Sequence, residues 1–186
     1  MKIDRLYGLA FLAKTRQRLQ AGFTLIELMI TLAVAGILGM VAVPSFVQFQ
    51  RNAQLSDATG NFIAAANAAR ANAMKRGMNT YLIPASGTNW SSGWLVYTDT
   101  NWNQIYDAAT DEVVLRHEGL SADITISTPN ASTLASGYLL FNGSGYPRMK
   151  TGGLGGGTIV MNNTARSSSI IIDPAGRLRS CKTGSC

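Results

Sequence analysis

Ala21-Gly22-Phe23-Thr24-Leu25-Ile26-Glu27-Leu28-Met29-Ile30 joins a basic leader to a long apolar run. From Phe23 to Val43 there are 21 residues, and Glu27 is the only charged one. As a helix, such a run crosses the roughly 30 Å hydrocarbon core of a bilayer. An ionised acid inside it costs roughly 2.5–3.5 kcal/mol by insertion scales. A plain signal anchor would leave Glu27 without a partner.

Gly22, the Phe23-Thr24-Leu25-Ile26-Glu27 run and the unbroken apolar stretch behind it resemble the class III signal of type IV prepilins and pseudopilins. The resemblance implies cleavage between Gly22 and Phe23 by a dedicated prepilin peptidase, followed by N-methylation of Phe23. It also implies that Glu27 meets the N-terminal amine of a neighbouring subunit during assembly. An α-ammonium is the kind of counter-ion that relieves a carboxylate in lipid. Further implied partners are other major and minor pilins, met through their N-terminal helices, and an inner-membrane assembly platform.

Cleavage at Gly22 divides the 186 residues into a leader (1–22), a transmembrane or filament-core helix (23–44) and a globular head (45–186) that includes the second half of the helix. The leader is longer than is usual before such a signal. It carries Lys2, Arg5, Lys14, Arg16 and Arg18 against Asp4. That excess holds the N-terminus in the cytoplasm, so the head is expected in the periplasm and later in a surface filament. A secretory signal fits less well, because the apolar run follows the cut site instead of preceding it.

The rest of the chain divides by texture. Pro44 removes a helical hydrogen bond and clashes with the preceding turn, and Gly36 and Gly39 weaken the same stretch, so a kink is expected there. Ser45 to Lys75 reads as an amphipathic helix with Leu55, Phe62, Ala66, Ala69 and Ala73 on one stripe, stopped at Gly77. After Gly77, eight short β-prone runs follow: 80–84, 93–98, 112–117, 124–127, 138–142, 157–162, 169–173 and 177–180. Lys150 to Gly157 reads as a glycine-rich hairpin loop. The expected class is α+β: a long kinked N-terminal helix packed on a mainly antiparallel sheet.

Five further segments resemble the GspH/FimT group of minor pilins and pseudopilins: Ala68–Gly77, Gly93–Asp99, Val113–Arg116, Leu140–Gly145 and Ile172–Arg179. That resemblance implies a low-abundance subunit near the tip of a type IV pilus, helping to initiate assembly, with roles in twitching, adhesion or DNA uptake. The equivalent subunit of a type II secretion pseudopilus is the alternative. A DNA-binding tip pilin for transformation is another.

Charge is polarised. From Phe23 to Pro147 there are five basic and eight acidic residues; from Arg148 onward there are six basic residues and one acid. Arg177 and Arg179 of Gly176-Arg177-Leu178-Arg179 fall on one side of an extended strand, with Lys182 close behind. The motif resembles the Gly-Arg-x-Arg element with which some FimT-type pilins bind DNA, and with the clustered charge this implies a candidate contact for DNA phosphates. The competing reading is an edge strand kept soluble by its charges. Cys181 and Cys186, in an exported head, read as a disulfide pinning the tail. Asp99, Asn101, Asn103 and Asp107 place oxygens at alternating positions, a weak calcium candidate that also suits an ordinary turn. His117 is the only histidine, and no nucleophile has a recognisable setting. No enzyme activity, cofactor or other metal site is expected. Trp94 reads as core and Trp102 as a contact residue.

Overall fold

The computed structural model describes residues 22–130, 132–182 and 184–185. The expected leader, apart from Gly22, lies outside the described residues, as does Cys186. The chain forms two units, Met1–Ala42 and Val43–Cys186.

One helix, α1 (Leu25–Arg76, 52 residues), belongs to both units and continues through Pro44. Within the first unit its apolar side chains find no cover. The most apolar window of α1 has a mean hydropathy of 2.3 and none of it is buried. Leu25, Ile26, Leu28, Met29, Ile30 and Leu32 are all exposed. A side-chain set of this kind is stable only against lipid or other proteins.

The second unit is built on the later turns of α1. Leu55, Ala58, Phe62, Ala65, Ala66, Ala69 and Ala73 are buried, so the stripe expected from the spacing is the core face. The alanines bring the sheets close to the helix axis, and Phe62 fills the space between them. Its ring makes edge contacts with Trp90 and Trp94 at centroid distances of 5.4 and 5.3 Å.

The strands are β1 (Thr80–Ser86), β2 (Asn89–Thr98), β3 (Glu112–His117), β4 (Thr125–Ser127), β5 (Leu139–Phe141), β6 (Pro147–Arg148), β7 (Gly157–Asn162), β8 (Ser167–Ile172) and β9 (Leu178–Lys182). They form two antiparallel sheets, ordered β3-β2-β1-β5-β6 and β4-β7-β8-β9. Leu82, Val96 and Phe141 of the first sheet and Ile159, Met161, Ile170 and Ile172 of the second share one core with α1. The far side of the first sheet carries a smaller cluster of Tyr81, Leu95, Tyr97 and Leu140. Strand β2 is thus covered on both faces, which explains its continuous burial from Gly93 to Thr98.

Two expectations need correction. Strand β6 was not foreseen; two residues are too few to show any alternation. The glycine-rich stretch is more than a hairpin loop. Met149 N bonds to Gly153 O at 2.9 Å in a tight local turn, Arg148 pairs with Leu154, and the chain then crosses from the first sheet to the second.

Gly77 ends the helix at φ +68°, as a left-handed C-terminal cap. Gly143 lies against it. A Cβ on Gly143 would meet the Gly77 carbonyl carbon and oxygen at 2.6 Å, so the β5–β6 turn sits on the helix end. Glycine is required there by contact between two backbones.

Candidate functional site

Thr24 and Glu27 form a closed pair at the start of α1. Thr24 N and Thr24 Oγ1 donate to Glu27 Oε2 at 2.9 and 2.8 Å, and Glu27 N donates to Thr24 Oγ1 at 3.3 Å. This is a capping box: each side chain satisfies a backbone amide of the other residue, amides the helix leaves without carbonyl partners. Glu27 therefore has a partner within its own chain, Thr24. The signal was present in the spacing Thr-x-x-Glu before an apolar run. Gly22 and Phe23 precede the helix and are exposed.

At the other end of the chain, the turn Asp173-Pro174-Ala175-Gly176 joins β8 to β9. Gly176 N donates to Asp173 O at 2.8 Å and Asp173 N to Arg177 O at 3.0 Å. Gly176 has φ +80°, and its Cα faces both the Gly145 carbonyl and the Arg70 guanidinium. Arg70 Nη1 donates to Gly176 O at 2.7 Å. Three segments quoted for the GspH/FimT resemblance, around Arg70, Gly145 and Gly176, therefore meet at one point.

Strand β9 lies at a free edge of the second sheet. Leu178 packs towards the core while Arg177 and Arg179 are exposed, as the alternation required; Lys182, on the Leu178 side near the strand end, is exposed as well. The arginines are not bare, however. Arg177 Nη2 lies 3.4 Å from Asp173 Oδ2 and Arg179 Nη2 3.8 Å from Asp173 Oδ1. One carboxylate thus offsets part of the field of both. Cys181 is half-buried in β9, and among the described residues no cysteine is a free thiol.

The candidate calcium loop is organised by amides. Asp99 is fully buried, and its oxygens accept from Asn103 N and Gln104 N at 3.2 and 3.0 Å. Asp111, which the sequence reading did not single out, accepts from Thr100 N at 3.0 Å and Asp107 N at 2.8 Å. Asn101, Asn103 and Asp107 accept from the amides of Asn103, Ile105 and Ala109. These are Asx turns, which orient such oxygens onto backbone without an ion. Among the described residues no group of three His, Cys, Asp or Glu side chains is placed to hold a metal ion.

His117 stacks on buried Trp94 at 4.2 Å, bonds through Nδ1 to Glu118 O, and faces Asn61 Nδ2 through Nε2 at 3.3 Å. It fastens the end of β3 to α1, and no nucleophile faces it in these contacts.

Residues 58–176 match the sequence profile described as Type II transport protein GspH. The chain belongs to the GspH family. Residues 17–43 match the prokaryotic N-terminal methylation motif, across the Gly22–Phe23 junction. The chain is 51% identical over 43 residues to the type IV major pilin PilA of Myxococcus xanthus, and 55% identical over 40 residues to a major pilin PilE1 of Neisseria gonorrhoeae. Those matches cover 23% and 22% of this chain and only 20% and 24% of the relatives, so they concern one short segment alone. Two crystal forms of the type IV minor pilin FimU of Pseudomonas aeruginosa share the fold, with TM-scores of 0.56 and 0.54 at 17% identity. They align over 74% and 70% of this chain and 98% of theirs. The GspH chain is thus a type IV pilin or pseudopilin of the GspH/FimT type, with the pilin arrangement of one long helix on antiparallel sheets.

Proposed function

We propose that this GspH-family chain is a minor pilin, inserted at or near the tip of a type IV pilus, where it helps to initiate assembly. The observation that carries the reading is the uncovered apolar helix joined to a head that matches GspH over residues 58–176. Such a helix gains stability only by leaving water, first in the inner membrane and then among neighbouring helices of a filament. Prepilin peptidase cuts between Gly22 and Phe23, Phe23 is methylated, and the amine of one subunit approaches Glu27 of the next. Pro44 kinks the helix, and Cys181 pairs with Cys186 to close the tail.

Mass spectrometry of the protein from sheared filaments tests this. The expected N-terminus is methylated Phe23, and Glu27→Ala should remove the protein from filaments while leaving it in the membrane. An uncut chain, or normal incorporation of Glu27→Ala, would sink the proposal. Scoring twitching and protein secretion in a deletion strain separates pilus from type II secretion pseudopilus, the second reading supported by the family's description. A further role in DNA uptake is favoured by Arg177, Arg179 and Lys182, which are exposed along the free edge of β9.

A further inference from the structure

The far side of the first sheet carries a recess lined by Asn79, Gln104, Leu140, Asn142, Arg148, Met149, Lys150 and Gly152. Two cations line it and no carboxylate does. Among the described residues Arg148 has no side-chain hydrogen bond or ion pair. Asn142 turns its Oδ1 inward to the amides of Ser144 and Tyr146 at 3.2 and 3.0 Å, which leaves its Nδ2 as a donor. Lys150 Nζ gives one hydrogen bond, to Gln104 O at 2.7 Å, and lies over the Tyr81 and Tyr138 rings at 5.6 and 5.3 Å, contacts that leave its positive charge without a carboxylate. The acid of the adjoining loop, Asp99, is buried and already accepts the Asn103 and Gln104 amides. Guanidinium, ammonium and amide thus belong to residues lining one recess that no carboxylate lines. That is the donor set for a carboxylate or phosphate.

Its rim is apolar. Lys150 and Gln104 exchange hydrogen bonds and so clamp the loop of Trp102 and Ile105 to the loop of Met149 and Leu154. Trp102 is 60% exposed and Ile105 67%, with Met149 and Leu154 also exposed. Trp102 and Gln104 have φ +61° and +63° without being glycine. Such backbone carries strain, here held by the Asx bonds of the loop, and it keeps a large aromatic ring in water.

We infer that this face docks an acidic polypeptide segment of another subunit, one carboxylate entering the Arg148–Lys150 recess and an apolar neighbour resting on Trp102 and Ile105. Trp, Met and Arg around a central polar anchor form a protein–protein composition. Nucleic acid fits less well: stacking needs π-faces, and Ile105, Met149 and Leu154 offer none. The inference rests on the reading of the chain as a filament subunit, and it concerns a surface remote in sequence from Glu27 and from β9.

The test is photo-crosslinking of the full-length protein in cells that assemble filaments, with Ile105→benzoylphenylalanine as the probe. The expected product is an adduct with another pilin subunit whose crosslinked peptide contains Asp or Glu. Arg148→Glu should reduce the adduct at least tenfold, and reversing the partner's acid to Lys should restore it. Arg148→Glu removes no side-chain hydrogen bond or ion pair of the head, so its melting temperature should stay near the parent value. Trp102→Gly, which relaxes the backbone, should also weaken the adduct without unfolding the head. A nucleic-acid adduct, no adduct from a protein present in sheared filaments, or an adduct untouched by Arg148→Glu would overturn the inference. An acid-dependent adduct from a protein missing from filaments would keep this surface and overturn the filament reading instead.

Discussion

Arg70 Nη1 donates a 2.7 Å hydrogen bond to the carbonyl oxygen of Gly176, tying a late turn of α1 to the turn that launches β9. Arg70 Nε is buried without a partner, so the guanidinium is only partly repaid for leaving water. The residue therefore works as much by filling space between Gly145 and Gly176 as by its charge. Through it, the exposed edge of the second sheet is referenced to the helix.

Arg70→Ala should destabilise the head by about 2 kcal/mol, from the lost charged hydrogen bond and packing. Arg70→Met, which restores volume but no donor, should cost less. Gly176→Ala should cost at least as much as Arg70→Ala. Its φ is +80°, and the new Cβ would lie 2.7 Å from the Gly145 carbonyl oxygen. Urea midpoints of the three variants check the order, and equal stability of Gly176→Ala and the parent would refute the account of this turn.

Gly143 and Gly60 make a contrasting pair. A Cβ at Gly143 would press on the Gly77 backbone at 2.6 Å, and neither backbone is free to yield; Gly143→Ala should cost roughly 1–3 kcal/mol. Gly60 lies within α1 with nothing within 4 Å of such a Cβ, so Gly60→Ala should stabilise by about 0.5–1 kcal/mol. Thermal melts of both proteins suffice.

The tyrosine cluster predicts an alkaline weakness. Burial first, then the Asp99 charge, raises the Tyr81 phenol well above its ordinary value near 10. Burial first, then Tyr81 and the Asp99 and Asp111 charges, does the same to Tyr97, which stacks on Tyr81 at 5.2 Å. The folded state thus favours the neutral phenols, while the unfolded chain ionises them from about pH 10. Stability should be flat below that value and fall as pH rises beyond it. Tyr81 Oη is also buried without a hydrogen-bond partner. Tyr81→Phe should therefore leave stability at pH 8 equal or higher and flatten the loss at pH 11. Urea midpoints at the two pH values decide it; an unchanged alkaline slope would contradict the assignment.

What the sequence revealed, and what it hid, follows from the range of each interaction. The apolar run, the stripe from Leu55 to Ala73 and most strand positions are local patterns, and they fall where spacing put them. The Arg177–Leu178–Arg179 alternation was legible for the same reason. Its neutralisation by Asp173 was not read, although Asp173 lies only four and six residues away, because the turn at Gly176 folds it back. The Arg70–Gly176 bond joins residues 106 apart, and no local pattern encodes it. Paired sheets were within reach of the strand count, but which strands join which sheet was hidden, since that depends on where the glycine-rich crossing leads. Asp111 escaped notice because a lone acid at a strand end looks solvated until its loop is seen to donate amides to it.

The proposed polyanion contact on β9 has a bounded strength. Arg177, Arg179 and Lys182 supply at most three phosphate contacts, so log affinity against log salt should fall with a slope no steeper than about −2 for single strands and about −2.7 for duplex. Asp173 already shares both arginines, which weakens the contact further. Asp173→Asn keeps a side chain suited to the turn and frees the guanidinium groups, so affinity should rise. Lys182→Gln should reduce the slope by about one, and Arg177→Gln with Arg179→Gln should nearly abolish binding. Fluorescence anisotropy with labelled oligonucleotides across a salt series measures all four. If the double arginine variant keeps the parent's affinity and slope, β9 is a solubilising edge and DNA does not meet it.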